Sequence, residues 1–172
     1  ERLALNYMQR MSGIASTTFI YVKAIEGTKA IILDTRKTSP GLRTFEKLAV
    51  THGRGQNHRY GLYDMIMIKD NHIDFAGGIN EAMNSTSKYL KANNLNLKVE
   101  VEARDLEEVE TILKNGKANR IMFDNFNYSD TKKGVELVSH KMETESSGGI
   151  TLETIRGYAE CGVDYISIGA LT

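Results

Sequence analysis

The sequence is short of several things, and each shortage removes a class of protein. It has one cysteine, Cys161, so no internal disulfide can form, and the chain suits a reducing, cytoplasmic setting. No apolar run reaches the roughly 18 residues that a membrane-spanning helix needs. Net charge is missing too, with 22 Lys and Arg against 22 Asp and Glu. A general nucleic-acid binder usually carries a basic excess, so that class is set aside along with membrane spans. A complete Gly-x-Gly-x-x-Gly is also absent. Gly53-Arg54-Gly55 begins the pattern, but His58 holds its last position and a helix precedes it, which makes a Rossmann reading weak. Glu1 opens inside a helical pattern and Thr172 closes without a polar tail, so a chain truncated at both ends is expected.

What is present is ordinary for a globular domain. Hydrophobic residues make up 41% and charged residues 26% of 172, enough to bury a core as one domain over residues 1–172. Leu3, Tyr7, Met8, Met11 and Ile14 fall at helical spacing and predict a first helix over Arg2–Ala15. Six short runs follow, each closing on a polar or glycine end: Ala30–Leu33, Met65–Ile68, Leu97–Val101, Ile121–Phe123, Lys141–Thr144 and Tyr165–Ile168. Between them, helices are predicted over Arg43–Thr51, Asn80–Ala92, Leu106–Lys114, Asp130–Val138 and Leu152–Glu160. Asp105 with Glu108 has the form of a capping box, Thr151 is a candidate N-cap, and Gly162 suits a C′ position. Alternating strands and helices predict an α/β fold with parallel pairing. Polar strand ends favour a barrel, whose chemistry sits on that rim. A complete barrel takes about 250 residues, so this one is expected to be open or incomplete.

Charge is balanced overall but not locally. Between Thr35 and His72 there are seven Lys or Arg against three acids, together with His52, His58 and His72. A neutral protein with one cationic segment points to a small anionic ligand. Asp34-Thr35-Arg36-Lys37 leaves a strand with two adjacent cations, which face opposite sides of an extended segment and can serve two anions. Asn57-His58-Arg59 and Lys69 add to a candidate dianion clamp. The histidine spacings match no helix-borne metal motif. Glu102 and Asp124 each close a strand, where carboxylates can hold a hydrated Mg²⁺ or stabilise a developing cation. Ser146 to Thr151, before a helix, and Gly169-Ala170 could cradle a phosphate with backbone N–H groups. Each of these also has a plain structural reading, as a solvated loop, an ion pair or a tight turn. Together they suit a phosphorylated sugar meeting a small acid.

With these residues in view, the chain resembles the quinolinate phosphoribosyltransferases. The resemblance is carried in order by Met11–Ala15, Leu33–Thr38, Pro40–Arg43, Glu46-Lys47, Asn57–Arg59, Gly61–Asp64, Ile68–His72, Val99–Glu102, Asp124–Phe126, Ser147–Gly149 and Gly162 to Thr172. It implies an open barrel of the type II phosphoribosyltransferase kind. It implies transfer of phosphoribosyl from phosphoribosyl pyrophosphate to quinolinate with loss of CO₂, giving nicotinate mononucleotide for NAD synthesis. Arg36, His58, Arg59 and Lys69 would then hold quinolinate's carboxylates, and Lys37 would contact phosphoribosyl pyrophosphate. Glu102 and Asp124 would face the ribose and its Mg²⁺, while Ser147, Gly148, Gly149 and Gly169 would cradle the 5′-phosphate. The family also has an N-terminal α/β domain, absent from this chain, which gives an arginine to the partner's site in a homodimer. The sequence departs from the family before Asn57, where His52-Gly53-Arg54-Gly55-Gln56 stands in place of a more glycine-rich run, and Arg54 has no assigned role. The alternatives are a related transferase using another heteroaromatic acid, or a phosphosugar-binding barrel without turnover.

Overall fold

The computed structural model describes residues 1–172. The chain runs α1 (Arg2–Ala24), β1 (Ile31–Leu33), α2 (Arg43–His52), β2 (Met65–Ile68), α3 (Asp70–Ala76), α4 (Ile79–Ala92) and β3 (Lys98–Ala103). It continues α5 (Leu106–Asn115), β4 (Arg120–Asp124), α6 (Tyr128–Val138), β5 (Glu143–Ser147), α7 (Ile155–Glu160) and β6 (Tyr165–Ser167). The six strands form one parallel sheet in the order β1-β6-β5-β4-β3-β2. Strands β1 and β2 are consecutive in sequence yet lie at opposite edges, as in a barrel that has not closed. Gln56 adds to the free edge of β1, donating to Ile32 O (2.8 Å) and accepting from Asp34 N (3.2 Å).

The two faces of the sheet differ in chemistry. One face carries Ile32, Val99, Val101, Ala103, Ile121, Phe123 and Ile166 into the main apolar core, against Met83, Val109, Ile112, Val138, Ile155 and Ala159 of the helices. The alternate positions carry Glu100, Glu102, Arg120 and Glu145 into the interior, all buried. A barrel interior is ordinarily filled by branched apolar side chains. Here Glu100 and Arg120 share one register level, and Glu145 sits one pleat further toward the strand ends.

Several elements differ from the sequence expectation. Helix α1 runs on to Ala24, through a Ser-Thr-Thr stretch that weakens helix propensity. Thr18 is buried there and its hydroxyl donates to Ile14 O (2.8 Å). Gly53 packs on this turn: a Cβ at Gly53 would meet Thr18 Cβ at 2.6 Å. A Cβ at Gly55 would meet Thr18 Cγ2 at 2.8 Å, so both glycines serve a close crossing of α1. Strand β5 begins two residues later than expected and takes in Glu145, Ser146 and Ser147. Its sequence is polar throughout, so it offers no apolar run to find. Helix α3 was not foreseen; Lys69 N donates to His72 Nδ1 (3.0 Å) at its first turn. Helix α7 starts at Ile155 after Thr154, and Thr151 instead accepts the amide of Ile155 (2.9 Å) in the turn before it. Asp105 does cap α5 through Glu108 N (2.9 Å), while the Glu108 carboxylate reaches Arg104 N (2.7 Å). Gly162 has φ of 90°, as a C′ residue requires.

Candidate active site

The residues read from the sequence as candidate substrate or Mg²⁺ ligands lie at or below the C-terminal ends of the parallel strands. Arg36 and Lys37 follow β1, Lys69 follows β2, and Glu102 and Asp124 sit near the ends of β3 and β4. Ser147 closes β5, with Gly148 and Gly149 beyond it, and Gly169 follows β6. The segment Asn57–Arg59 crosses the open side between β1 and β2.

Two residues that sequence reading left without a role fix that crossing. Lys47 of α2 is 1% exposed and pairs with the fully buried Asp34 at 2.5 Å. Lys47 also donates to His58 O (3.1 Å), and His58 N donates to Asp34 Oδ1 (2.8 Å). With its amide nitrogen turned to the two acceptors beside it, Asn57 donates to Asp34 Oδ2 (2.7 Å) and Lys47 O (2.9 Å). Arg43 ties the loops above, donating to Thr38 Oγ1 (3.1 Å), Tyr60 O (3.2 Å) and Arg36 O (3.2 Å). So Arg43 and Lys47 of the cationic stretch are structural, and Arg54 stacks over Phe19 at 5.5 Å, outside the site. Burial lifts the Asp34 carboxyl above the usual carboxylate range, although Lys47 and the bond from His58 act against it.

Arg36, Lys37, Arg59 and Lys69 remain as rim cations. Arg36 Nε is buried and meets no acceptor in the protein, a state that costs about 1–3 kcal/mol unless an anion supplies one. Arg59 donates to Met65 O (3.2 Å), and its guanidinium is held below the ordinary arginine value by burial and then by the charge of Arg36. Two like charges are thus held near each other, as a dianion clamp requires. Lys69 Nζ lies 2.5 Å from Glu102 Oε1. Asp124 accepts from Asn125 Nδ2 (3.0 Å) through one oxygen.

The glycine turns face the same rim. Gly148 has φ of 98° and packs on Asn125, where any Cβ would overlap the side-chain amide. Asn125 N donates to Ser147 O (2.9 Å), which closes β4 against β5. A Cβ on Gly169 would sit 3.6 Å from Lys37 Cδ, so the Lys37 chain lies over that turn. The N–H groups of Gly148, Gly149, Gly169 and Ala170 donate to no protein acceptor. Because α7 begins six residues after Gly149, it is these loop amides, not a helix end, that offer the anion site.

Below the rim lies a buried charged group that sequence reading missed. His58 Nε2 is 2.9 Å from Glu100 Oε2 and 3.5 Å from Glu145 Oε2, off the line of an ideal hydrogen bond to either. Arg120 Nη1 is 2.8 Å from Glu145 Oε2, and the guanidinium stacks on Tyr165 at 3.9 Å. Burial and then the neighbouring Glu145 charge push Glu100 up to about 7. Burial works against both His58 and Glu145. Even so, the paired charges raise His58 to about 9, and His58 and Arg120 hold Glu145 below its usual range. Arg59 N donates to His58 Nδ1 (2.7 Å), so the ring carries its proton on Nε2. The additional proton belongs to the His58–Glu100–Glu145 group as a unit, with Glu100, which has no aligned donor, as its seat. These three residues could crowd a metal ion geometrically. Arg120 already supplies a cation to them and repels a second one. His52 is exposed on α2 and His72 caps α3, so the three histidines of the cationic stretch do not converge.

A cleft of about 580 Å³ between α3, α4 and α5 contains none of these residues. No helix is long and apolar enough to cross a membrane.

The family described as "Quinolinate phosphoribosyl transferase, C-terminal domain" matches residues 14–172. The chain is 49% identical to an Arabidopsis thaliana protein named nicotinate-nucleotide pyrophosphorylase [carboxylating], chloroplastic, covering all of this chain and 53% of that one. It is 45% identical to a probable nicotinate-nucleotide pyrophosphorylase [carboxylating] of Bacillus subtilis, covering 58% of it. The crystal structure of NadC from Streptococcus pyogenes superposes with a TM-score of 0.94 at 40% identity, over all of this chain and 59% of that one. A Pyrococcus furiosus structure at 15% identity shares the fold, with a TM-score of 0.70. The chain spans little more than half the length of the curated relatives it matches. With that family's model matching residues 14–172 and these relatives 45–49% identical over the whole chain, the chain belongs to the quinolinate phosphoribosyl transferase family, in the part of it that forms the C-terminal domain.

Proposed function

We propose that the protein carrying this chain transfers phosphoribosyl from phosphoribosyl pyrophosphate to quinolinate with decarboxylation, releasing nicotinate mononucleotide, pyrophosphate and CO₂ for NAD synthesis. The observation that carries this reading is the unpaired, buried Nε of Arg36 beside a second arginine, Arg59, at the strand ends. In this reading Arg36, Arg59 and Lys69 receive quinolinate's two carboxylates. Lys37 and the amides of Gly148, Gly149 and Gly169, with Ser147, receive the phosphoribosyl pyrophosphate. Departure of pyrophosphate leaves positive charge at the anomeric carbon, which Glu102 and Asp124 stabilise as fixed carboxylates. After transfer, the ring nitrogen is cationic and stabilises the carbanion left by CO₂ loss, so the site mainly positions the reactants and excludes water. Two carboxylates on adjacent strands, one with a free oxygen, suit a Mg²⁺ that keeps water and phosphate as its other ligands, and that ion would neutralise the leaving pyrophosphate. A homodimer whose site is completed by the partner is part of this reading; the exposed Leu3, Met8, Phe45 and Leu48 on α1 and α2 give it apolar surface to cover. A reducing compartment fits the single free thiol.

The test is to give the complete protein quinolinate labelled in its 2-carboxylate, with phosphoribosyl pyrophosphate and Mg²⁺. Release of labelled CO₂ that needs all three is expected. Phosphoribosyl pyrophosphate binding without release would move the reading to another acid or to a non-catalytic relative.

A further inference from the structure

Three of the four polar groups of His58 are hydrogen-bonded inside the protein, and the fourth, Nε2, is buried against carboxylates. Its N–H donates to Asp34 and its carbonyl accepts from Lys47. Its Nδ1 accepts the Arg59 amide at 2.7 Å, and its Nε2 faces the buried Glu100 and Glu145. The side chain is 5% exposed, and its only ring N–H points inward, so neither nitrogen is free to meet a ligand at the rim. The next residue is Arg59, whose guanidinium stands near Arg36 with no acidic side chain hydrogen-bonded to it. Holding two guanidiniums close requires a fixed backbone and negative charge behind them, and the interior carboxylates supply that charge.

We infer that His58 is a positioning residue rather than a substrate ligand: Glu100, Glu145 and Arg120 hold its ring from the barrel interior, and the ring, through Nδ1, holds the Arg59 amide and hence the guanidinium of the anion clamp. The inference deepens the proposed function, since Arg59 is the group that would meet quinolinate. Arg120 is the outermost member of this chain of contacts, bonded to Glu145 and also to Glu143 (3.1 Å).

Two amide substitutions separate the ring's two nitrogens. In His58→Asn the side-chain oxygen takes the place of Nδ1 as acceptor for the Arg59 amide. In His58→Gln the side-chain nitrogen takes the place of Nε2 and the Nδ1 acceptor is lost. Two readouts are taken on the complete protein: hydrogen exchange of the Arg59 amide, which needs no ligand, and calorimetric affinity for quinolinate and for phosphoribosyl pyrophosphate. Loss of one buried acceptor predicts that His58→Gln speeds Arg59 exchange and weakens quinolinate roughly tenfold each, with phosphoribosyl pyrophosphate unchanged. His58→Asn is expected to keep both within about threefold of wild type, its Arg59 bond being retained. Equal loss of quinolinate in both variants, with Arg59 exchange at the wild-type rate, would overturn the inference and make His58 a direct ligand. Wild-type values in His58→Gln would overturn it as well. Should His58→Gln not fold, Glu145→Gln carries the test: faster Arg59 exchange supports the positioning chain and an unchanged rate refutes it. If the wild-type protein binds no quinolinate, the proposed function fails, and the exchange rates alone still decide the role of His58.

Discussion

Replacing Lys47 by Met tests how the anion clamp is built. Lys47 is almost wholly buried and its ammonium lies 2.5 Å from Asp34, which is itself fully buried. Methionine fills similar space without charge. Asp34 then keeps only neutral donors, His58 N at 2.8 Å and the Asn57 amide at 2.7 Å. Breaking a buried pair from one side costs about 3–5 kcal/mol, because the remaining charge is uncompensated. For a domain of this size each kcal/mol is about 2–4 °C, so the melting temperature should fall by about 6–20 °C. Adding Asp34→Asn removes the stranded charge but leaves an oxygen to accept the His58 amide. The double variant should therefore regain about 1–3 kcal/mol over Lys47→Met. Urea and thermal unfolding followed by circular dichroism measure the free energies and the melting temperature. A Lys47→Met cost under about 1 kcal/mol, the value of an exposed pair, would refute the reasoning. So would a double variant no more stable than the single one.

Two further outcomes follow from the same structure. The buried group holds one additional proton up to about pH 9, the value to which His58 is raised, whereas the unfolded histidine loses its proton near 6.5, so between those limits the folded chain binds more protons than the unfolded chain. Stability should therefore fall as pH rises from about 6.5 to 9, with a urea midpoint higher near pH 6 than near pH 9, and Glu145→Gln should flatten the slope. A midpoint that climbs toward pH 9 would contradict the buried proton. At the rim, Arg36→Ala should weaken quinolinate by about 10–100-fold and phosphoribosyl pyrophosphate far less, as loss of a charge-assisted bond implies, and Lys37→Ala should do the reverse. Calorimetry with each ligand separately reads the split, and equal losses in both variants would end the two-anion assignment.

Much of this protein was legible in its sequence. Apolar runs and helical stripes placed five of the six strands and most helices within a few residues, because burial of one face imposes those periods locally. The order of the motifs carried the family, and the strand ends carried the candidate rim. What the sequence did not disclose are pairings between residues far apart. Strand β5, Glu-Thr-Glu-Ser-Ser, is central in the sheet and carries no aliphatic residue. It is stable there because Thr144 bonds Asp164 (2.8 Å) and Glu145 bonds Arg120 (2.8 Å), partners 20 and 25 residues away in sequence. In the same way Lys47 reads as one more surface cation until α2 packs it onto Asp34, and His58 reads as a rim ligand until the sheet brings Glu100 and Glu145 beneath it. Periodicity is local and survives in one dimension. Which charges meet inside a polar barrel depends on strand order and register, and only the folded chain decides those.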